Sequence, residues 1–323
     1  MYDCINFLVI ILIVATLIGV LSPVNLLSNT FDKIFYSDKW DIVANFSAHK
    51  HVRSEKDKIS IEALIINNVF GAIKLLSLCE KNKPKYFFSV STDKAANPVN
   101  VMGASKTLME KLIISKKNIF RVSTARFANV AFSNGSLLDG FIYRLQKKQP
   151  LSCPTDIKRF FVSPLQSGQI CLLSTFLGKS GDIFFPKLDF YEDQIYFKDI
   201  ALKFIESNSY IPAVFKSEKE AKDFDFKKNP KKYPIYFFKT DTSGEKHFEE
   251  FFSEKEKYNM NKFISLGYIE TEIENISFLN VSSDFNKVFS KKNTTKYEIL
   301  QVIKKYIPEF NHIETGKKLD DKM

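Results

Sequence analysis

The sequence predicts an α/β protein built on a doubly wound parallel sheet, and three observations carry that expectation. Short apolar runs bounded by polar residues recur at Asp41–Phe46, Lys85–Val90 and Arg121–Val130. Between them, apolar residues fall at helical spacing, so strands alternate with helices over stretches of about 30 residues. The chain's 323 residues and 37.3 kDa, 45% hydrophobic and 26% charged, suffice for one large α/β domain or two smaller ones. The same composition excludes a disordered tail, a collagen-like repeat and a disulfide mini-protein.

In chain order, Phe7–Leu21 is a charge-free apolar stretch of fifteen residues followed by Ser22-Pro23. A spanning helix wants roughly 20 apolar residues, and the basic start of a signal peptide is missing. Two alternatives stand: a membrane anchor, or a buried strand. Asp41–Phe46 reads as the first regular strand. Ile61, Leu64, Ile65, Asn68, Val69, Ala72, Ile73 and Leu76 then mark one face of an amphipathic helix. Lys85–Val90 is a second strand, Met102–Ser115 a second helix, and Arg121–Val130 a third strand, after which Gly135 and Gly140 break the run. Gln166–Phe176 reads as helix and Asp182–Phe185 as a short strand. The charged stretch Ser217–Lys232 is a surface excursion, and the last thirty or so residues are expected to fray.

Lys and Arg number 47 against 37 Asp and Glu, a net charge of +10. The cations are scattered among acids, as on a solvated surface, and no recognition helix or aromatic-basic platform points to nucleic acid. Cys4, Cys79, Cys153 and Cys171 stand far apart with no CxxC pair, and His49, His51, His247 and His312 form no ligand motif. No metal site is expected, and the cysteine usage suits a reducing compartment, the cytoplasm.

In an open parallel sheet, ligands bind beyond the carboxyl ends of the strands. The strand Lys85–Val90 runs into Ser91-Thr92-Asp93-Lys94, which places a hydroxyl, a carboxylate and an ammonium at that rim. These are the parts of a proton-transfer group beside a carbonyl; a capped turn with a surface ion pair would look the same. Met102 and Lys106 share one helix face at i, i+4, where the lysine either faces a cleft or is solvated. Asn68 lies on an apolar stripe, where its amide needs partners. It either bridges to a neighbouring strand or belongs to a proton path.

The runs NFSAHKHVRSEKDKISIEALIINNVFGAIKLL, FFSVSTDKAANPVNVMGASKTLMEKLI and RFANVAFSNGSLLDGF resemble the extended short-chain dehydrogenase/reductase family. More narrowly they resemble the polysaccharide-biosynthesis, capsule-type nucleotide-sugar dehydratases and epimerases, over roughly residues 31 to 275. YPIYFFKTDTSGEKHFEEFF resembles the C-terminal segment of a lipopolysaccharide-associated subgroup. The resemblance implies a Rossmann-like sheet with a smaller C-terminal substrate domain. It divides the chain into an apolar non-family segment (1–30), a partial dinucleotide-binding domain (31–132), a substrate region with a segment returning to the sheet (133–275) and a C-terminal extension (276–323).

It also implies an NAD- or NADP-dependent reaction on a UDP-sugar such as UDP-N-acetylglucosamine, and self-association as in the relatives. Hydride leaves sugar C4, the ketone acidifies C5–H, elimination or epimerisation follows, and hydride returns. On this basis Thr92 holds a sugar hydroxyl, and Asp93 and Lys94 serve as acid and base. Lys106 holds the nicotinamide ribose, Asn68 supports it, and Ser91 lies on the cofactor side. Asn129, Ser136, Arg159 and Lys50 face the nucleotide-sugar, Arg159 at its diphosphate.

Two departures qualify this. Met102 occupies the position of the family's tyrosine, and a thioether cannot abstract a proton. Some capsule-type relatives also carry Met there, which implies that Asp93, Lys94 or a bound water takes over. Gly19 is the only glycine before Gly71, so the glycine-rich turn that lets backbone N–H groups approach a pyrophosphate is missing from this stretch. The first strands of the family sheet are missing with it. The alternatives to a working enzyme are a truncated remnant that still binds nucleotide-sugar and a binding protein tethered through Phe7–Leu21 in a glycan-assembly complex.

Overall fold

The computed structural model describes residues 7–10, 24–50, 55, 57–240, 244 and 246–314. Among them the chain forms two compact units. The first takes the residues up to Phe127 together with Gly168–Lys187 and Glu250–Ile313; the second takes Ala128–Ser167, Leu188–Glu249 and Glu314. The first unit opens with β1 (Phe7–Ile10), α1 (Asn29–Tyr36), β2 (Ile42–Asn45), α2 (Lys58–Ile65), a π-helical turn (Ile66–Phe70) and α3 (Gly71–Asn82). It continues through β3 (Tyr86–Thr92), a 3₁₀ turn (Asp93–Ala95), α4 (Val101–Ile114) and β4 (Val122–Phe127). Then come β5 (Asn129–Val130), α5 (Leu137–Gln146), β6 (Leu151–Pro154), β7 (Lys158–Arg159), β8 (Phe161–Val162), α6 (Pro164–Phe176) and β9 (Ile183–Pro186). The rest of the chain forms β10 (Ile195–Tyr196), α7 (Phe197–Ser207), β11 (Ile211–Phe215), α8 (Glu218–Lys222), β12 (Lys232–Phe238), β13 (Tyr258–Asn259), β14 (Leu266–Ile269), α9 (Phe278–Phe289) and α10 (Lys296–Tyr306).

The first unit is the expected α/β sheet, in the order β1-β2-β3-β4-β9-β14-β13. β1 to β4 and β9 run parallel, and β14 and β13 close the edge antiparallel. All four residues of β2 and all six of β4 are buried, as strands covered on both faces must be. One core gathers Ile61, Leu64, Val69 and Leu75 from the α2–α3 stretch with Leu108 and Leu112 of α4. The second unit carries the parallel three-stranded sheet β11-β12-β6. Leu138, Phe141, Leu151, Ile205, Tyr233 and Ile235 make up most of its core.

Three expectations need correcting. Arg121–Val130 is not one strand: β4 stops at Phe127, and Asn129–Val130 pairs with β8 in the second unit. Within 133–275 the chain returns to the first unit twice, at Gly168–Lys187 and from Glu250 onward, and the stretch expected as a separate C-terminal extension belongs to that unit as far as Ile313. The C-terminal stretch does not fray as far as it is described. Val281, Phe285, Ile299, Ile303 and Ile307 belong to the core of α2–α4, and α10 starts on a reciprocal Thr295–Glu298 capping box. Beyond α10, Asn311 and Ile313 N–H donate to the carbonyls of Pro98 and Val99.

Of Phe7–Leu21, only Phe7–Ile10 are described, as a strand parallel to β2 with Phe7 opposite Ile42; the remainder lies outside the described residues. The one helical stretch among the described residues long and apolar enough to cross a membrane is Lys58–Asn82. Its apolar face, from Ile61 to Leu76, is spent on the core.

Candidate functional site

The site grows from the carboxyl end of β3. Thr92 is the last residue of that strand and caps the 3₁₀ turn, its hydroxyl accepting from Lys94 N–H at 3.4 Å. Asp93, 1% exposed, is gripped through Oδ1 alone. That oxygen accepts from Thr92 Oγ1 at 2.8 Å, Lys94 N at 2.9 Å and Lys94 Nζ at 3.0 Å. Its other oxygen, Oδ2, is buried and has no hydrogen-bond partner. The turn is indeed capped, but the Asp93–Lys94 pair is no surface ion pair: the lysine side chain is 15% exposed and the aspartate 1%.

Helix α4 is strapped to this turn. Asn100 caps it by accepting from Gly103 N–H at 2.7 Å, and Thr107 Oγ1 donates to Ala95 O at 2.9 Å. Gly103 permits the close approach: a Cβ there would lie 2.5 Å from the Lys94 carbonyl oxygen, a backbone atom that cannot swing aside. Gly103→Ala should therefore push the turn off the helix at a cost of about 1–3 kcal/mol, read as a shift in the urea midpoint. A variant as stable as the parent would show that the contact is loose.

Lys106 lies on the same helix. Its Nζ donates to Val90 O at 2.9 Å and rests 3.7 Å from Met109 Sδ, which ties the helix to β3 three residues before Asp93. Burial lowers its pKa from 10.5 to about 8, against the opposing pull of Glu110. Between those two values the unfolded chain binds more protons here than the folded one, so stability rises with pH across the window. Lys106→Met should remove that rise. The variant's stability relative to the parent should be most favourable below pH 8 and decline to a constant above 10.5, as measured by urea denaturation across pH. Parallel curves for the two proteins would contradict the buried ammonium.

Sequence reasoning missed the network beneath. Glu110, one turn after Lys106, accepts from Ser91 Oγ at 2.5 Å and holds Arg126 of β4 with both oxygens, at 3.0 and 2.8 Å. Arg126 also donates to both oxygens of Glu256, at 2.9 and 2.7 Å, and to Phe251 O. Burial works against the arginine's charge, but Glu110 and Glu256 outweigh it and raise its pKa. Asn68, in the π-helical turn, is a bridge: Nδ2 donates to Ser105 Oγ at 2.9 Å and to His49 O, and Oδ1 accepts from His49 N–H. It meets Ser105, the neighbour of Lys106 in sequence. Such π turns often mark sites where a helix must present one side chain differently.

Thr92, Asp93, Lys94, Lys106, Ser91 and Asn68 thus cluster where β3 meets α4. Lys50 is exposed in the first unit, just past the His49 backbone that Asn68 holds. The other expected residues lie in the second unit. Asn129 Nδ2 donates to Phe160 O, and Ser136 caps α5 by accepting from Asp139 N–H. Arg159 is 3% exposed, and its guanidinium donates to the carbonyls of Lys158, Lys246 and His247. Met102, 3% exposed, packs in the apolar core.

Residues 13–270 match a family model described as a polysaccharide biosynthesis protein. An uncharacterized membrane protein of Methanocaldococcus jannaschii is 29% identical over 284 residues, 84% of this chain and 76% of that protein. A UDP-N-acetylglucosamine 4,6-dehydratase (inverting) of Campylobacter jejuni is 35% identical over 158 residues, 46% of each chain. A UDP-glucose 4-epimerase of Rickettsia canadensis is 39% identical over 129 residues, 38% of each. The match therefore spans less than half the length of either enzyme. Among solved structures, Pen from Bacillus thuringiensis aligns with a TM-score of 0.60 at 20% identity, over 81% of this chain and 79% of that one. UDP-glucuronic acid 4-epimerase from Bacillus cereus, in complex with UDP-glucuronic acid and NAD, aligns at 0.53 with 17% identity over 71% of each. At such identities the likeness is one of fold.

Proposed function

The chain belongs to the polysaccharide biosynthesis protein family, whose matched members here include nucleotide-sugar dehydratases and epimerases, and on that premise we propose that it moves protons on a UDP-linked sugar. One observation carries the reading. Asp93 is buried at the carboxyl end of a parallel strand with Oδ1 triply held and Oδ2 unpartnered. A buried carboxylate oxygen without a partner costs free energy, which a bound proton donor would recover.

In this mechanism Thr92 and the Lys94 backbone fix the carboxylate, so that Oδ2 points to the reacting carbon. Oδ2 takes the proton from a ring carbon beside a carbonyl, and the Lys94 ammonium balances the charge that then develops on oxygen. Lys106 acts by positioning: through Val90 O it holds the strand end that carries the group. The sugar is expected to be one resembling UDP-N-acetylglucosamine.

NAD(P), which the family implies, does not fit the residues present. The groups expected to hold it are engaged within the protein: Lys106 Nζ by Val90 O, Ser91 Oγ by Glu110, and the Asn68 amide by Ser105 and His49. Met102 is packed in the core where the family's tyrosine would reach a cofactor. No step is therefore routed through it. Incubation with UDP-sugars in D₂O, followed by NMR, tests the reading. Deuterium at the ring carbon next to the carbonyl of a UDP-keto-sugar is the expected result; a keto sugar that binds but never exchanges would overturn it.

A further inference from the structure

We infer that this chain takes a UDP-sugar that already carries a ring ketone and exchanges the neighbouring proton without a nicotinamide cofactor. The inference rests on the proton-transfer reading above and narrows its substrate class. A ring C–H beside a hydroxyl-bearing carbon is far too weak an acid for a carboxylate, whereas one beside a ketone gives a stabilised enolate. The enzyme must either make the ketone by removing hydride or receive it ready-made.

The two halves of the site are in opposite states. Every polar group expected on the hydride side is satisfied by protein: Lys106 by Val90 O at 2.9 Å, Ser91 by Glu110 at 2.5 Å, Asn68 by Ser105 at 2.9 Å. Gly103 and Thr107 clamp α4 to the Asp93–Ala95 turn, so drawing the lysine out would break the packing that holds the aspartate. On the proton side, Asp93 Oδ2 is unsatisfied and Lys94 stands 3.0 Å from its sister oxygen.

The step balances with no redox partner. The C–H bond breaks, its proton goes to Asp93 Oδ2, and its electron pair forms the C=C of an enolate whose oxygen meets the Lys94 ammonium. The Asp93 proton exchanges with solvent while the enolate is bound, and return of a solvent-derived proton or deuteron from Asp93 to carbon restores the ketone. A reaction that oxidises the ring alcohol must therefore supply the substrate.

The test pairs a UDP-4-keto-6-deoxy-N-acetylhexosamine with UDP-N-acetylglucosamine in D₂O, each with and without added NAD⁺ or NADP⁺. Deuterium uptake is followed by NMR, and the nucleotide released on denaturing the purified protein is read by absorbance. The expected result is exchange on the keto sugar alone, at a rate that cofactor changes less than twofold, with no nicotinamide released. Exchange on UDP-N-acetylglucosamine once cofactor is added, or stoichiometric nicotinamide in the supernatant, would overturn the inference and leave the proton-transfer reading standing. No exchange on the keto sugar, although it binds, would overturn both.

Discussion

Replacing Arg126 by methionine is expected to lower the unfolding free energy by about 3–5 kcal/mol, the cost of leaving a buried ion-pair partner uncompensated. Arg126 and Glu110 are almost fully buried, with side chains 2% and 3% exposed, and the guanidinium is held by two carboxylates and one carbonyl. Removing it leaves the buried Glu110 with Ser91 as its hydrogen-bond donor and the Lys106 ammonium one turn away, while Glu256, 23% exposed, can be hydrated. The double variant Arg126→Met with Glu110→Gln removes that stranded charge, keeps an acceptor for Ser91, and should recover much of the loss. Urea denaturation of both variants decides the matter. A single variant costing less than about 1 kcal/mol, or a double variant no better than the single, would mean that the network is not what joins α4 to β4.

Asp93→Asn should cut proton exchange by about 10²-fold or more, because general-base contributions run to about 10²–10⁴. It should also cost about 1–3 kcal/mol of stability as the largely buried Lys94 ammonium loses this carboxylate. An amide can keep the contacts of Oδ1 with Thr92 and the Lys94 backbone, but it offers no basic oxygen to a C–H. UDP-sugar affinity, measured separately by calorimetry, should change little. Retained exchange in the asparagine variant would take Asp93 out of the chemistry. Lost exchange together with a collapsed midpoint would instead point to a purely structural carboxylate.

Much of the first unit was legible because the parallel strands read as short, mostly apolar runs with few charges. β2, β3 and β4 stand out that way, and so does the stripe from Ile61 to Leu76. The position of the Thr92–Lys94 turn was legible too, since the residues that follow a parallel strand fall at its rim. The boundary after Phe127 was not: β4 and β5 are separated by Ala128 alone, so two strands in two units look like one. The packing of α9 and α10 was hidden by their lysines and asparagines, which occupy the outer faces while Val281, Phe285, Ile299 and Ile303 point inward. Glu110 and Arg126 did leave a trace, each a charge in an otherwise apolar segment. Their partnership depends on β4 lying beside β3, and spacing along the chain does not reveal that.

The first unit is discontinuous, its pieces separated by the stretches Ala128–Ser167 and Leu188–Glu249. This imposes an order on biosynthesis. Strand β9 leaves the ribosome only after the first of those stretches, and β14, α9 and α10 only after both, so β4 must wait, unpaired along one edge, until Ala128–Ser167 and helix α6 have emerged. The backbone bonds from Asn311 and Ile313 to the Pro98–Val99 loop come last of all, and a nascent chain cut short before them leaves the loop leading into α4 without its final brace.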